Sequence, residues 1–147
     1  MVSAPNEFQT GQFRPVIGSP AGNAQADRLI VCSGKVYFDL REELEKDNVD
    51  SSTVAVLRLE QFYPFPHKEF EREIELLDGF SRAVWLQEEP ENMGAWGFVR
   101  HRLDDLLAPR NIRIEYAGRV ASASVATGSA LVHQAEQAAI LAKAISG

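Results

Sequence analysis

"RLIVCSGK", residues 28 to 35, is the stretch of this chain that decides its fold. Its apolar centre is short and unbroken, which is the pattern of a β-strand buried on both faces. The residues that follow, "VYFDLREELEKDN", place Val36, Leu40 and Leu44 on one helical stripe. A buried strand that runs directly into an amphipathic helix predicts the first half of a strand–helix–strand unit.

The same alternation continues downstream. "TVAVLRL" and "RAVWLQEE" are two more buried-strand patterns, and each is followed by an amphipathic helical pattern, "HKEFEREIELL" and "AWGFVRHRLDDLL". "NIRIEYAG" alternates apolar and polar residues, which predicts a half-exposed strand nearer a sheet edge. A last helical pattern, "ALVHQAEQAAILAKAI", ends the series. Four strands that alternate with four helices predict an α/β fold, a mostly parallel sheet covered by helices on both faces.

The segment before the first strand has a different character. Residues 1–27 are rich in Gly, Pro, Ala and Asn and show no sustained periodicity. We interpret them as an extended arm or linker from an upstream domain, followed by one domain over residues 28–147.

Composition excludes several classes of function. The formal net charge is −6 and no block of Lys or Arg occurs, so a broad nucleic-acid surface is not expected. The single cysteine rules out an internal disulfide and fits a reducing compartment. No apolar run approaches the roughly 20 residues that span a bilayer, and the first residues do not form a signal peptide. These features predict a cytoplasmic domain that does not bind a membrane.

Two loops at the carboxyl ends of the predicted strands are unusual. "EQFYPFP" alternates Pro64 and Pro66 with aromatic residues, which predicts a stiff loop, with Pro66 in the first turn of the next helix. "QEEPENMGAW" follows the third strand. A stiff, apolar projection at a strand end suggests contact with another protein surface. The residues that we expect at this interface are Phe62, Tyr63, Phe65, Glu88, Glu89 and Trp96.

Candidate binding groups also fall at these strand ends. "CSGK" combines a helix N-terminus with Lys35, a plausible anion site, whereas the alternative is that Ser33 only caps the helix. Glu88 and Glu89 could act as an acid/base pair, but adjacent strand residues point to opposite faces of a sheet. The alternative for these two is an ion pair and a loop cap.

Other reactive side chains give weaker signals. His67, His101 and His133 are expected at the surface, and Cys32 is expected to be an inert thiol in a buried strand. His101 and Asp105 have helical spacing, but two ligands are too few for a metal site. The residues alone therefore describe an α/β module without a self-contained active site.

Five segments carry a resemblance to a known family. "FRPVIG", "CSGKVYFDL", "LRLEQFYPFP", "WLQEEPENMGAW" and "YAGRVASASVATG", the last followed by "VHQAEQ", closely resemble, in the same order, segments of the C-terminal domains of 2-oxoglutarate dehydrogenases. The chain resembles that family from about Phe8 onward. The looser pattern of strands and loops is similar to the C-terminal domains of transketolases and of pyruvate dehydrogenase beta subunits.

The resemblance implies a three-layer α/β/α fold with a mixed sheet of about five strands, one of them antiparallel. It implies part of an oxidoreductase of the tricarboxylic acid cycle that depends on thiamine diphosphate. That enzyme decarboxylates 2-oxoglutarate and transfers the succinyl group to a lipoyl-bearing succinyltransferase of a multienzyme complex. The family binds thiamine diphosphate and magnesium on other domains, so we expect no catalytic residue, metal or cofactor on this chain.

The domain is then expected to supply dimer and inter-domain contacts, and the isolated chain is predicted to be inactive. The resemblance also implies a regulatory ligand, AMP or acetyl-CoA, for which the candidate residues are Thr10, Arg14, Ser33, Lys35 and Arg119. Two alternatives remain open: a stand-alone module that binds a CoA-type or nucleotide ligand, and a separately encoded C-terminal subunit of a transketolase-like enzyme.

Overall fold

The computed structural model describes residues 11–18, 26–46, 50–77 and 79–146. Within these ranges the chain forms five strands and four α-helices. The strands are β1 Val16–Gly18, β2 Arg28–Cys32, β3 Val54–Leu59, β4 Arg82–Pro90 and β5 Ile114–Arg119. The helices are α1 Val36–Leu44, α2 His67–Glu75, α3 Trp96–Leu107 and α4 Ala130–Ser146. Short 3₁₀ turns, Ser51–Thr53 and Ala108–Arg110, lead into β3 and follow α3.

The strands form one sheet in the order β1-β3-β2-β4-β5. The central strand β2 pairs in parallel with β3 and β4, so that Val31 lies opposite both Leu57 and Trp85. β4 pairs in parallel with β5, which lies at the edge, as its alternating sequence predicted. The predicted mixed, mostly parallel sheet is confirmed.

The antiparallel strand comes from the segment interpreted as an arm. β1 pairs with β3, with Val16 opposite Leu59, and the Pro15 carbonyl accepts bonds from the Glu60 and Gln61 amides at 2.8 and 3.2 Å. Three residues are too short to show a strand period, and so the pattern does not reveal this strand. The sheet therefore begins before residue 28. That the rest of residues 1–27 forms a linker stays a prediction.

Alternation along the strands builds a core on each face of the sheet. On one face the side chains of Val31, Leu57 and Trp85 pack against α2 and α3. On the other face Ile30, Cys32, Val56 and Leu86 pack against α1 and α4. The arrangement confirms three layers.

α4 is only partly supported by this core. Its buried residues are Ile140, Leu141 and Ala144, whereas Leu131 and Val132, in its first turn, are 78% and 47% exposed. Among the described residues, the structure holds no helix with the length and apolarity that a membrane crossing requires.

Candidate functional site

The carboxyl ends of the parallel strands form the natural ligand-binding edge of this sheet. The chain leaves β2 toward β3 on one side, and β4 then pairs with the opposite side of β2. The order in which the chain adds strands to the sheet therefore reverses at β2. In open α/β sheets, ligands bind in the crevice outside the carboxyl ends at such a reversal.

Gln87, near the end of β4, organises this crevice. Its side chain is buried, 3% exposed. The Oε1 atom accepts bonds from the Trp85 indole at 2.9 Å and from the Trp96 backbone amide at 3.0 Å. The Nε2 atom donates to the carbonyls of Glu89, Pro90 and Met93 at 3.2, 3.1 and 3.0 Å. One amide thus ties the end of β4, the loop after it and the start of α3 together.

An open cavity of about 440 Å³ lies against this amide. Its aromatic walls are Phe62, Trp85 and Phe98, and Phe62 stands nearly perpendicular to the other two rings, at 69° and 83°. Among the described residues of the lining, Glu89 supplies the only ionisable side chain. We call this cavity the aromatic cup. Because Trp85 and Gln87 are buried, the accessible walls are mainly the two phenylalanines.

Tyr116 on β5 holds the loop after β4 from the other side. Its hydroxyl donates to the carbonyls of Arg119 and Glu89 at 2.9 and 3.2 Å. Burial, with the nearby carboxylates of Glu91 and Glu89, raises the pKa of Tyr116 to about 12, so the hydroxyl remains a donor. A Cβ at Gly118 would overlap this ring, which explains why a glycine lies there.

A second cavity, of about 380 Å³, lies between the end of β5 and α4. Arg119 lines it with a side chain that is only 9% exposed, paired with Glu136 at 3.3 Å and with His133 Nδ1 at 2.7 Å. Because the guanidinium can only donate, His133 accepts at Nδ1. Thr127 Oγ1 is buried here without a hydrogen-bond partner, whereas Arg119 Nε and Glu136 Oε2, which also make no hydrogen bond, are the two atoms of that ion pair. Buried polar atoms are normally satisfied, so this cavity suits a polar group or water.

The predicted interface residues divide into exposed and packed groups. Tyr63 projects, 85% exposed, and Glu89 is also exposed. Phe62 folds back onto Trp85, with ring centroids 6.4 Å apart, and Phe65 packs on Phe70 at the same distance. The loop therefore displays one aromatic ring, and the other two rings pack against the core.

Two residues of the second loop also differ in their surroundings. Trp96 is 7% exposed and packs on Tyr116, with centroids 5.1 Å apart. Glu88 is half-buried, and its charge helps to raise the pKa of Lys35, after the larger effect of the bond to Asp39. Glu89 lines the aromatic cup on the opposite side of β4. This separation is what the alternation of a strand predicts for the two carboxylates.

The four predicted regulatory residues that the structure describes do not meet in one cavity. Ser33 lines the aromatic cup and Arg119 the second cavity, whereas Lys35 Nζ is bound to Asp39 at 2.6 Å. Arg14 precedes β1 at one edge of the sheet and Arg119 ends β5 at the other, with four strand spacings between them, roughly 19 Å. Thr10 lies outside the described residues.

The alternatives considered for these groups can also be placed. Lys35, not Ser33, is the N-cap of α1, and no side chain bonds there, so the alternative that Ser33 caps the helix is wrong. Burial raises the pKa of the Cys32 thiol to about 12, as expected for an inert cysteine. The three histidines are exposed. Among the described residues, no three His, Cys, Asp or Glu side chains are placed to hold a metal ion.

Sequence reasoning missed Gln87, the residue with the most bonds in the crevice. Its position in the sequence nevertheless predicts that it is buried, because residues two apart on a strand share a face of the sheet. Gln87 therefore lies on the same face as the buried Trp85, and a buried amide must find partners. Its five partners could not have been read from the pattern.

Comparison with known proteins places these loops in a family. The family described as 2-oxoglutarate dehydrogenase C-terminal matches residues 2–145. The 2-oxoglutarate dehydrogenase E1 component of Haemophilus influenzae is 38% identical over 147 residues, 99% of this chain and 15% of that protein. The proteins of that name from Brucella anthropi and Brucella ovis are 48% identical over 128 residues, 84% of this chain and 12% of each relative. The match covers nearly the whole chain and confirms the resemblance, so the chain belongs to the 2-oxoglutarate dehydrogenase C-terminal family.

Proposed function

We propose that this chain works as the C-terminal domain of a 2-oxoglutarate dehydrogenase. The whole enzyme would oxidatively decarboxylate 2-oxoglutarate and transfer the succinyl group to a lipoyl group. The observation that carries the proposal is the family match over residues 2–145. Because the chain spans only 12 to 15% of the length of its relatives, most of such an enzyme lies outside it.

Within that enzyme the domain would provide contacts rather than catalytic groups. Several large apolar side chains are exposed to solvent near the carboxyl end of β5 and on the projecting part of α4, as is Tyr63 after β3; these are Tyr63, Val120, Val125, Leu131 and Val132. Exposed apolar side chains that adjoin one another mark surfaces that another protein surface covers, and four of the five fall within the short stretch of chain from Val120 to Val132. We assign them to contacts with other domains and with a second subunit of a homodimer.

Thiamine diphosphate and magnesium would be bound by other domains of the enzyme. The family match concerns only the C-terminal segment of much longer relatives, and we assign no catalytic step to this chain. The lipoyl-bearing succinyltransferase would be a partner of the whole complex, in the cytoplasm.

A regulatory ligand, AMP or acetyl-CoA, remains part of the proposal. The second cavity supports it best, because the buried, ion-paired guanidinium of Arg119 and the Thr127 hydroxyl, which has no hydrogen-bond partner, line a space of about 380 Å³. Of the four candidate residues that the structure describes, only Arg119 lies there.

A chimeric enzyme tests the proposal. This chain would replace the matching 15% of the Haemophilus influenzae protein, and 2-oxoglutarate-dependent ferricyanide reduction would be measured. We expect activity from the chimera, none from the same protein without its C-terminal segment, and none from this chain alone. An inactive but folded and dimeric chimera, or turnover by the isolated chain, would contradict the proposal.

The two alternatives are less well supported. A stand-alone ligand-binding module does not account for a match to one segment of much longer enzymes. Calorimetry with acetyl-CoA and AMP separates the two functions, because tight binding by the isolated chain that Lys35→Ala abolishes would favour the module. A separately encoded subunit would instead restore activity when it is mixed with the truncated enzyme.

A further inference from the structure

The aromatic cup has an electrostatic character that the packing of the domain does not require. Within the part of the lining that the structure describes, Glu89 alone carries a charge and there is no Lys or Arg. Glu91 follows in the same loop on a chain whose net charge is −6, whereas Glu88 lies on the other side of β4, near Lys35. The Glu89 side chain makes none of the hydrogen bonds or ion pairs found among the described residues. A free carboxylate beside the half-buried rings of Phe62 and Phe98 is open to a cation.

Aromatic rings add to this preference, because the face of a ring attracts a cation. One ring of the cup already binds a cation within the chain. The Arg102 guanidinium lies 3.8 Å from the centre of the Phe98 ring and donates to the Phe98 carbonyl at 2.6 Å. Phe62 carries no such partner among the described residues, and its ring stands at 83° to Phe98. The cup therefore offers an aromatic wall and a carboxylate with no cation between them.

We propose that the aromatic cup receives the cationic side chain of an arginine or lysine from the protein surface that covers this end of the sheet. The guanidinium or ammonium would lie against Phe62 and pair with Glu89, and its aliphatic stem would fill the apolar remainder. This proposal rests on the proposed function, in which other parts of a longer enzyme meet these loops. Beyond that function, it states which chemical group of the partner surface binds here, namely a cationic side chain.

The position and the rigidity of the cup indicate a preformed binding site and not an incidental depression of the surface. It lies at the reversal point of the sheet, and Gln87 fixes its base through five hydrogen bonds. Gly94 in the lining has φ +64, and a Cβ there would come within 3.1 Å of Glu89 and Gln87. The shape of the cup is therefore fixed before anything binds, which lowers the entropic cost of docking.

Small-molecule analogues of the two side chains test the inference on this chain. N-acetyl-arginine amide and N-acetyl-lysine amide are titrated while NMR follows the Trp85 indole, the Gln87 side-chain amide and the backbone amides of Gly34 and Gly94. N-acetyl-citrulline amide, which has nearly the shape of the arginine probe without its charge, is the matched ligand. We expect Kd on the order of millimolar for the cations and about tenfold weaker binding of citrulline.

Two variants locate the charge. Glu89→Gln should weaken the arginine probe about tenfold and remove its advantage over citrulline, whereas Glu91→Gln, with the same change in net charge outside the cup, should change Kd less than about twofold. Equal binding of arginine and citrulline, or equal effects of the two variants, would overturn the proposal. Tighter binding of choline than of either side-chain probe would also overturn it, in favour of a free small cation.

The two proposals fail separately. An active chimera whose cup binds no cation would remove the docking inference and leave the enzyme assignment intact. An inactive chimera together with cation binding at the cup would remove the enzyme assignment and leave cation binding at the cup intact.

Discussion

Replacing Gln87 by leucine should destabilise the domain more than any other single polar-to-apolar change at the strand ends. Leucine is similar in size, so no large cavity forms. The change instead removes the acceptor for the Trp85 indole and the Trp96 amide, both in buried bonds, and the donor to the buried Pro90 carbonyl. The carbonyls of Glu89 and Met93 are only part-buried and can turn to water.

The cost follows from the groups that stay buried. Each unsatisfied buried donor costs about 1–3 kcal/mol, so the two donors give about 2–6 kcal/mol. Water from the adjacent cavity can reach part of the site, and we expect about 3 kcal/mol. For a chain of this size that corresponds to a fall in Tm of about 6–12 °C.

Urea unfolding followed by tryptophan fluorescence measures this loss, and a thermal melt checks it. The matched control is Gln61→Leu, the same chemical change on the neighbouring loop, where the side chain makes one exposed bond to the Pro64 carbonyl at 2.7 Å. That control should cost less than about 1 kcal/mol. The reasoning is refuted if Gln87→Leu loses no more stability than Gln61→Leu.

Three further outcomes are expected. Burial raises the pKa of the Cys32 thiol in the folded chain to about 12, whereas the thiol of the unfolded chain deprotonates at about pH 8.5. The contribution of Cys32 to the free energy of unfolding should therefore be constant below about pH 8.5 and fall as the pH rises toward 12, because only the unfolded chain loses the proton in that range. Unfolding curves between pH 8 and 9.5 should show this slope, and Cys32→Ala should remove it; an unchanged slope would assign it to another group. Gly118→Ala should cost about 1–3 kcal/mol in urea unfolding because its Cβ displaces the Tyr116 ring, and most of that cost should vanish in a Tyr116→Ala background; simple additivity would argue against the clash. Glu115→Gln should cost less than about 1 kcal/mol, because the pair with Arg82 at 3.0 Å is 38% and 50% exposed, and a larger loss in the same assay would show that the pair is not screened by solvent.

The strands of the sheet could be predicted where the sequence shows a continuous apolar run. β2, β3 and β4 are continuous apolar runs because both of their faces are covered, and their order with the helices determines a parallel arrangement. β1 could not be predicted, because three residues between Pro15 and Ser19 carry no period and pair only with a strand distant in sequence. The missing information was tertiary, not local.

The candidate site was predicted less completely than the fold. The prolines of the aromatic loop correctly indicate that α2 begins directly after them, but Pro66 is the N-cap of that helix and not part of its first turn, which begins at His67. That the loop is stiff stays a prediction. The pattern does not tell which rings pack inward, because that depends on Trp85 and Phe98 from later segments. Gln87 shows the same limit, since its bonds join groups up to nine residues apart around a turn.

The three residues of β1 protect the outer backbone of β3. Val16 and Gly18 lie opposite Leu59 and Leu57, next to the buried core. A domain trimmed to begin at β2 would keep every parallel pair of strands but would present an unpaired hydrophobic edge, the kind that recruits strands from other molecules. Aggregation through that edge, rather than loss of the fold, is then the expected failure of shortened versions of this domain.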